Sequence, residues 1–392
     1  MSELSQPKPM REEQRPARDQ IDEVTPGILR LQLPISFPGL GHVNCYAMED
    51  SRGIALVDPG LPGIRTWRHL KKQLKTMGIP IARVHTVVVT HSHPDHFGQA
   101  GRFKKKVGAE IISHRSFRTF LDPEAETDDE EMVTVSGETA HASAGAQVHS
   151  HGHPHGHGHG HGENDGTDHG GVAAVRPSAN PFPAVTPWGG KPFELPLSRR
   201  IRYRAMRLAA GRFVATPRPT RRVDDADILE LGGREWVSVY TPGHTEDHLC
   251  LWDPDGGVMI SGDHVLPTIT PHISGLSESP DPLARFFESL DRMKTFDGVN
   301  TVLPAHGLEF KDLSGRAEAI SRHHRDRLNE LKAAGDRLGS GTVEDYMKQL
   351  FKPRSWGPMA ESETYAHLQH LKLRNEADTN HDGSQLRYTI RD

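Results

Sequence analysis

A nearly all-apolar run, Val84-His85-Thr86-Val87-Val88-Val89-Thr90, is followed at once by His91-Ser92-His93-Pro94-Asp95-His96-Phe97-Gly98. Its β-branched residues predict a strand buried on both faces, which must end in a polar loop. Side chains two apart on an extended loop point the same way, so His91 and His93 can hold one cation from one side. Asp95 and His96 are offset from that pair and can face a second cation. Imidazole and carboxylate suit zinc and neighbouring first-row ions, and the absence of cysteine argues against a closed structural zinc site. Histidine is abundant here, 26 in 392 residues, so a polar loop with fortuitous histidines is the competing reading. Nine of the 26 fall in a biased tract between His141 and His169, however, and the four donors at 91–96 lie well outside it.

Three further candidates each close a predicted strand: Thr241-Pro242-Gly243-His244, Ser261-Gly262-Asp263-His264 and Pro304-Ala305-His306-Gly307. Any one is weak, because a histidine after a strand is more often a capping or core residue. Together with His91 to His96 they form a set, since side chains at adjacent strand ends converge on one mouth.

The rest of the chain is organised around these signals. Residues 1–22 are polar and charged, which predicts a disordered N-terminus and excludes a signal peptide. Strands are predicted at Ile28–Leu33, Val43–Met48, Gly53–Val57, Val84–Thr90 and Glu110–Ser113, with helices at Ile64–Met77 and Phe97–Val107. Seven carboxylates between Asp122 and Met132, then a His-Gly tract, cannot bury enough apolar area to offset ordering entropy. Residues 123–195 therefore read as a disordered acidic and His-rich insertion, and 199–222, with nine arginines and no acid, as its folded edge. Strands return at Ile228–Leu231, Trp236–Thr241, Leu249–Trp252, Val258–Ser261 and Thr301–Leu303, with helices at Leu283–Met293 and Ala317–Leu338. Val343–Leu350 and Thr364–Leu373 are helical, and a small hairpin turns at His381-Asp382-Gly383, the outline of a winged helix. The expected fold is a four-layer αββα sandwich over 23–312, with the long helix and the winged-helix module in 313–392. No apolar run approaches the roughly 20 residues that cross a bilayer. Two cysteines, Cys45 and Cys250, form neither a CxxC nor a disulfide framework, so a cytoplasmic, reducing compartment is expected.

The motif set resembles the metallo-β-lactamase superfamily, whose five metal motifs are matched by Asp58, the HxHxDH of 91–96, His244, Asp263 and His306. The resemblance implies His91, His93 and His244 on one metal, Asp95, His96 and His306 on a second, and Asp263 bridging the two. Asp58 would orient the metal-binding loop. An aspartate at 263, where antibiotic-hydrolysing members with a cysteine ligand have Cys, favours the binuclear pattern of glyoxalase II. Thr241-Pro242-Gly243-His244-Thr245-Glu246-Asp247-His248, the segment 261–271, HHRDRL at 323–328 and AHLQHL at 366–371 are similar to the branch with a C-terminal winged helix. That branch includes thioesterase-like and endoribonuclease members. Phe97 and Gln99 depart from the small residues many members carry there, and the insertion is unusual.

Two zinc ions per chain are expected, iron or manganese being the alternatives. Sharing a water, they would lower its pKa toward neutrality for attack on a thioester or related carboxyl ester, small or carried by an acyl-carrier protein. Asp95 and Asp263 would lower the cluster's charge and accept a proton. His248 and His264 read as supporting residues, His272 as a substrate contact or plain loop residue, and His323 and His324 as packing for the long helix. The rival readings are a phosphodiesterase cutting single-stranded RNA, a mononuclear iron persulfide dioxygenase, and a metal buffer built on the histidine tract. The arginine run is compatible with nucleic acid, but few aromatics accompany it and the chain's formal charge is −5.

Overall fold

The structure, a computed structural model, describes residues 10–37, 39–119, 186–189 and 215–391. A seven-stranded sheet runs in the order β1 (Ile21–Thr25), β2 (Ile28–Phe37), β3 (Leu40–Asp50), β4 (Gly53–Val57), β5 (Val84–Val88), β6 (Glu110–His114) and β7 (Arg221–Val223). The first four strands pair antiparallel and the last four are parallel. Helix α1 (Ile64–Thr76) joins β4 to β5, and α2 (Pro94–Phe97) with α3 (Ala100–Val107) joins β5 to β6. The second sheet has the order β12 (Thr301–Pro304), β11 (Val258–Gly262), β10 (Leu249–Asp253), β9 (Arg234–Tyr240), β8 (Ile228–Leu231). Its β11–β12 pair is parallel, with α4 (Pro282–Met293) as the crossover.

Three apolar layers make the sandwich. Val87 and Leu56 face Trp67, Leu70 and Phe103 of α1 and α3. Their chain neighbours Val88 and Val57 face Trp236, Leu249 and Leu251 of the second sheet. That alternation is why β5 reads as continuously apolar. The opposite face of the second sheet, with Val239, Cys250 and Met259, packs on Leu283, Phe286 and Leu290 of α4 and on Ala317 and Ile320. Each fully buried Val, Leu, Ile, Phe or Met among these contributes about 1.5–3 kcal/mol by leaving water. The order is helices, sheet, sheet, helices, as expected.

The C-terminal elements are α5 (Leu313–Leu338), β13 (Gly341–Thr342), α6 (Val343–Leu350), α7 (Pro358–Leu373) and the hairpin β14 (Ala377–Asp382) to β15 (Gln385–Ile390). Two helices start earlier than apolar periodicity suggests. The Asp312 side chain caps α5 at Gly315 N, and Pro358 occupies the first turn of α7. The first half of α5 packs on the sandwich through Leu313, Ala317 and Ile320. Its second half packs through Leu331 and Ala334 on Tyr346, Leu368 and Tyr388.

Two disorder expectations are corrected within the described residues. From Met10 onward the N-terminus is ordered: Glu13 is fully buried, its carboxylate accepting from Thr268 N and Oγ1, and Ile21–Thr25 forms the edge strand β1. Polar composition hid this, because the segment is held by hydrogen bonds and edge pairing rather than by apolar burial. Inside the proposed insertion, Trp188 is buried against Tyr365, and its carbonyl accepts from Leu386 N. Its indole Nε1 also donates to Glu361 Oε2 at 3.3 Å, so a large aromatic and its hydrogen bonds hold this point of a polar region. The acidic run and the histidine tract lie outside the described residues, as do 199–214 of the arginine run.

Buried neutral histidines set an acid limit on this fold. His114, stacked on Tyr240 at 4.0 Å, and His367 are both lowered to about 4, chiefly by burial. A histidine depressed in the folded state contributes stability that is lost as pH falls from about 6.5, where the unfolded chain protonates, toward 4. Urea unfolding in excess chelator, so that ion release plays no part, should show the folded state losing on the order of a few kcal/mol between pH 7 and 4.5. A flat profile over that interval would refute this assignment.

Candidate metal centre

The loop after β5 is shaped by Asp58, at the end of neighbouring β4. Asp58 adopts φ 55°, a left-handed conformation that aspartate tolerates better than most residues. Its Oδ1 accepts from Thr90 N at 2.9 Å, and its Oδ2 accepts from Thr90 Oγ1 and His96 Nδ1, each at 2.8 Å. Thr90 O in turn accepts from Leu249 N at 2.8 Å, tying the loop to the second sheet. Pro94 then starts the single turn of α2, which carries Asp95 and His96.

The seven expected donors come together in two groups. His93 Nδ1 lies 3.0 Å from His91 Nε2 and 3.1 Å from His244 Nε2, and Asp263 completes this group. Nitrogens around a tetrahedral zinc, at bonds of about 2.0–2.1 Å, stand roughly 3.3 Å apart, so the spacing suits one ion. The second group is Asp95, His96 and His306, with Asp95 Oδ2 at 3.6 Å from Nε2 of both rings. Asp263 stands between the groups. Its Oδ2 is 3.8 Å from His91 Nε2, 3.6 Å from His244 Nε2 and 3.5 Å from His96 Nε2, and its Oδ1 is 3.3 Å from His306 Nε2.

Four of the five rings are oriented by what their other nitrogen touches. His96 Nδ1 donates to Asp58, His244 Nδ1 to His272 O and His306 Nδ1 to His42 O, the last two at 2.8 and 2.7 Å. Thr90 Oγ1 gives its proton to Asp58 and so accepts from His91 Nδ1 at 3.0 Å. In all four rings Nε2 is left facing the centre, the nitrogen whose lone pair a cation would take up in place of a proton.

The electrostatics agree. Burial depresses His91 and His93, reinforced by neighbouring imidazoles, so both are neutral. At His96 and His306 burial works the same way, yet it is outweighed: Asp95, Asp58 and Asp263 raise His96, and Asp263 with Asp95 raises His306. Burial pushes Asp263 up, but His306 and His96 hold it well below the usual carboxylate range. A pocket that draws protons onto two rings is short of positive charge. Moreover His96 Nε2, His306 Nε2 and Asp263 Oδ1 are buried with no hydrogen-bond partner. Such atoms cost about 1–3 kcal/mol each unless something satisfies them. Being aimed at one another, they fit a cation held between them.

Surrounding residues brace this geometry. His248 Nδ1 meets Thr241 Oγ1 at 2.8 Å, and its Nε2 accepts from Asp263 N at 3.1 Å. It therefore supports Asp263 through the backbone. Gly262 permits this: its φ is 52°, and a Cβ there would sit 2.7 Å from His248 Nε2. His264 is buried against Phe286, and burial lowers it to about 3. Asn44 Nδ2 and Tyr46 OH donate to Pro304 O, bracing the turn that presents His306. Phe97 packs edge-on against Phe117, and Gln99 donates to Leu61 O and Gly63 O, so both face the core rather than the mouth.

Sequence reasoning missed His42, which acts through its carbonyl, an atom every residue has and no motif reveals. His272 is half-buried beside His244, and its Nδ1 faces Glu363 Oε2 at 3.3 Å. His324 packs on Phe286 and Phe287, as expected for a residue holding α5 to the sandwich. His324, Glu363 and His367 form a third compact group. Within it His367 Nδ1 bonds Glu363 O, His324 Nδ1 faces His367 Nε2 at 3.0 Å while its Nε2 is buried without a hydrogen-bond partner, and Arg327 supplies a cation beside Glu363 at 3.4 Å.

The family model described as metallo-beta-lactamase superfamily matches residues 38–174 and 166–306. The probable metallo-hydrolase YqjP of Bacillus subtilis (strain 168) is 21% identical over 92% of this chain and 97% of its own length. The atrochrysone carboxyl ACP thioesterase dmxR1 of Cryptosporiopsis sp. (strain 8999) is 29% identical over 36% of this chain and 46% of its own. The chain spans about a third of the length of the fungal lactamase-like proteins it matches. A metallo-beta-lactamase family protein from Thermus thermophilus superposes with a TM-score of 0.66 at 24% identity, covering 94% of this chain and 99% of that one. No described helix is long and apolar enough to cross a membrane. Since the family match runs across every strand end that carries one of the seven donors, the chain belongs to the metallo-β-lactamase superfamily.

Proposed function

We propose that His91, His93 and His244 hold one divalent cation, that Asp95, His96 and His306 hold a second, and that Asp263 joins them. Zinc is the leading occupant, with iron or manganese as alternatives. The observation that carries this reading is Asp263, whose carboxylate lies within 3.8 Å of imidazole nitrogens from both groups. Two cations so placed would lower the pKa of a shared water toward neutrality and stabilise the developing oxyanion. The protein's part is to keep His91 and His93 neutral, to orient His96 through Asp58, and to limit the net charge with Asp95 and Asp263. Asp95 places Oδ2 at 3.6 Å from Nε2 of both His96 and His306, and its other oxygen would accept the proton that a reacting water gives up.

The substrate class we favour is a thioester or related carboxyl ester, small or carrier-bound. The partial similarity to a fungal ACP thioesterase supports this. We read the C-terminal module as a winged helix packed beside the site, and place the protein in the cytoplasm. Purified full-length protein should hydrolyse acyl-thioesters, lose the activity to a chelator and regain it with zinc. Salt-sensitive cleavage of short labelled RNA with no thioester turnover would replace the ester reading with a phosphodiesterase. Oxygen uptake with a persulfide would replace it with the dioxygenase, although Asp95, His96 and His306 have no place in a mononuclear site.

A further inference from the structure

The segment between β11 and α4 carries no regular secondary structure from Asp263 to Asp281, yet it must present His272 O to His244 Nδ1 at 2.8 Å. It is pinned to α7, a helix of the C-terminal module, at three points. Glu363 Oε2 faces His272 Nδ1 at 3.3 Å, and Ser362 Oγ accepts from Gly275 N at 3.0 Å. His370 Nδ1 meets Asp281 Oδ2 at 2.9 Å, where the same carboxylate caps α4 at Ala284 N. Of the three, only Glu363 touches the residue whose carbonyl orients His244. Its side chain is 13% exposed, and its second oxygen lies 3.4 Å from Arg327 of α5. Glu363 is thus fixed from behind and directed forward at His272.

We propose that Glu363 is a positioning residue for the metal centre. By anchoring the His272 ring it fixes the carbonyl that holds His244, which makes the C-terminal module a working part of the site. This rests on His91, His93 and His244 being ligands. The arrangement has a counterpart in the second group, where His306 leans on His42 O while His42 Nδ1 donates to Arg15 O in the N-terminal segment. Each end of the chain therefore braces one imidazole.

The test is a competition titration of zinc against a chromophoric chelator, on the full chain. The histidine tract adds the same background to every variant, so differences from wild type isolate the centre. His244→Ala identifies the constant that belongs to the first group. Glu363→Ala should weaken that constant about 10- to 100-fold, the usual cost of losing an outer partner, and leave the other within about threefold. Glu363→Gln, whose amide oxygen still accepts from His272, should restore most of the loss. Arg327→Met should weaken the first constant less than Glu363→Ala does and spare the second, because the His272 contact survives the loss of the support behind it. Unchanged constants in Glu363→Ala would overturn the proposal. So would equal weakening at both sites that Arg327→Met reproduces together with a lower metal-free Tm, which would mark Glu363 as helix packing. Should His244→Ala bind as much zinc as wild type, the ligand reading itself fails and the proposal with it.

Discussion

Asp263→Ala is expected to lower kcat/KM by about 10³-fold or more and to remove at least one bound zinc per chain relative to wild type. Four imidazole nitrogens face this carboxylate at 3.3 to 3.8 Å, and it is the anion common to both groups. Without it, two cations would face each other across a gap lined only by neutral rings and the Asp95 side. Mutual repulsion in a buried site, where charge is poorly screened, then favours expelling one. Asp263→Asn separates shape from charge: it keeps one oxygen ligand and should retain more metal than alanine while staying strongly impaired. Elemental analysis beside kinetics reads both effects. A variant that keeps wild-type turnover and a full zinc complement would remove the foundation of the proposed function.

The second large effect is structural. Asp58→Ala should destabilise the fold by about 3–5 kcal/mol in urea unfolding with chelator present, the usual cost of removing one member of a buried charged network. Thr90 N, Thr90 Oγ1 and His96 Nδ1 would all lose their acceptor inside a closed interior. Alanine is also more strained than aspartate at φ 55°. Asp58→Asn should cost less, since asparagine tolerates that backbone and keeps one acceptor oxygen. It should still bind the second zinc more weakly, because the His96 tautomer is no longer imposed by a carboxylate. An alanine variant within about 1 kcal/mol of wild type would show that the loop is held by other means.

These two residues illustrate how legible the chain was. Asp58 was singled out only by the resemblance to the superfamily's motifs, whereas Asp263 was readable because it closes an apolar strand, as His244 and His306 do. The two-sheet sandwich was readable for the same reason: strands such as Val84–Val88 and Leu249–Asp253 are buried along nearly their whole length. Glu13, β1 and Trp188 escaped notice, because a polar segment can be ordered by a few hydrogen bonds or one aromatic anchor that composition does not display. Phe97 and Gln99 depart from the small residues many members carry, and only the structure shows that both pack inward, away from the mouth.

What the sequence by itself determined is the set of candidate donors and the strand ends that bear them. Ligand chemistry belongs to the side chain, and a buried strand announces its own limits through local composition. What the tertiary structure alone decided is orientation: which nitrogen of each ring faces the centre, and what holds it there. Those partners are the carbonyls of His42 and His272, braced from the N-terminal segment and from α7. Backbone carbonyls are the same in every residue, so their roles arise only once distant segments pack together.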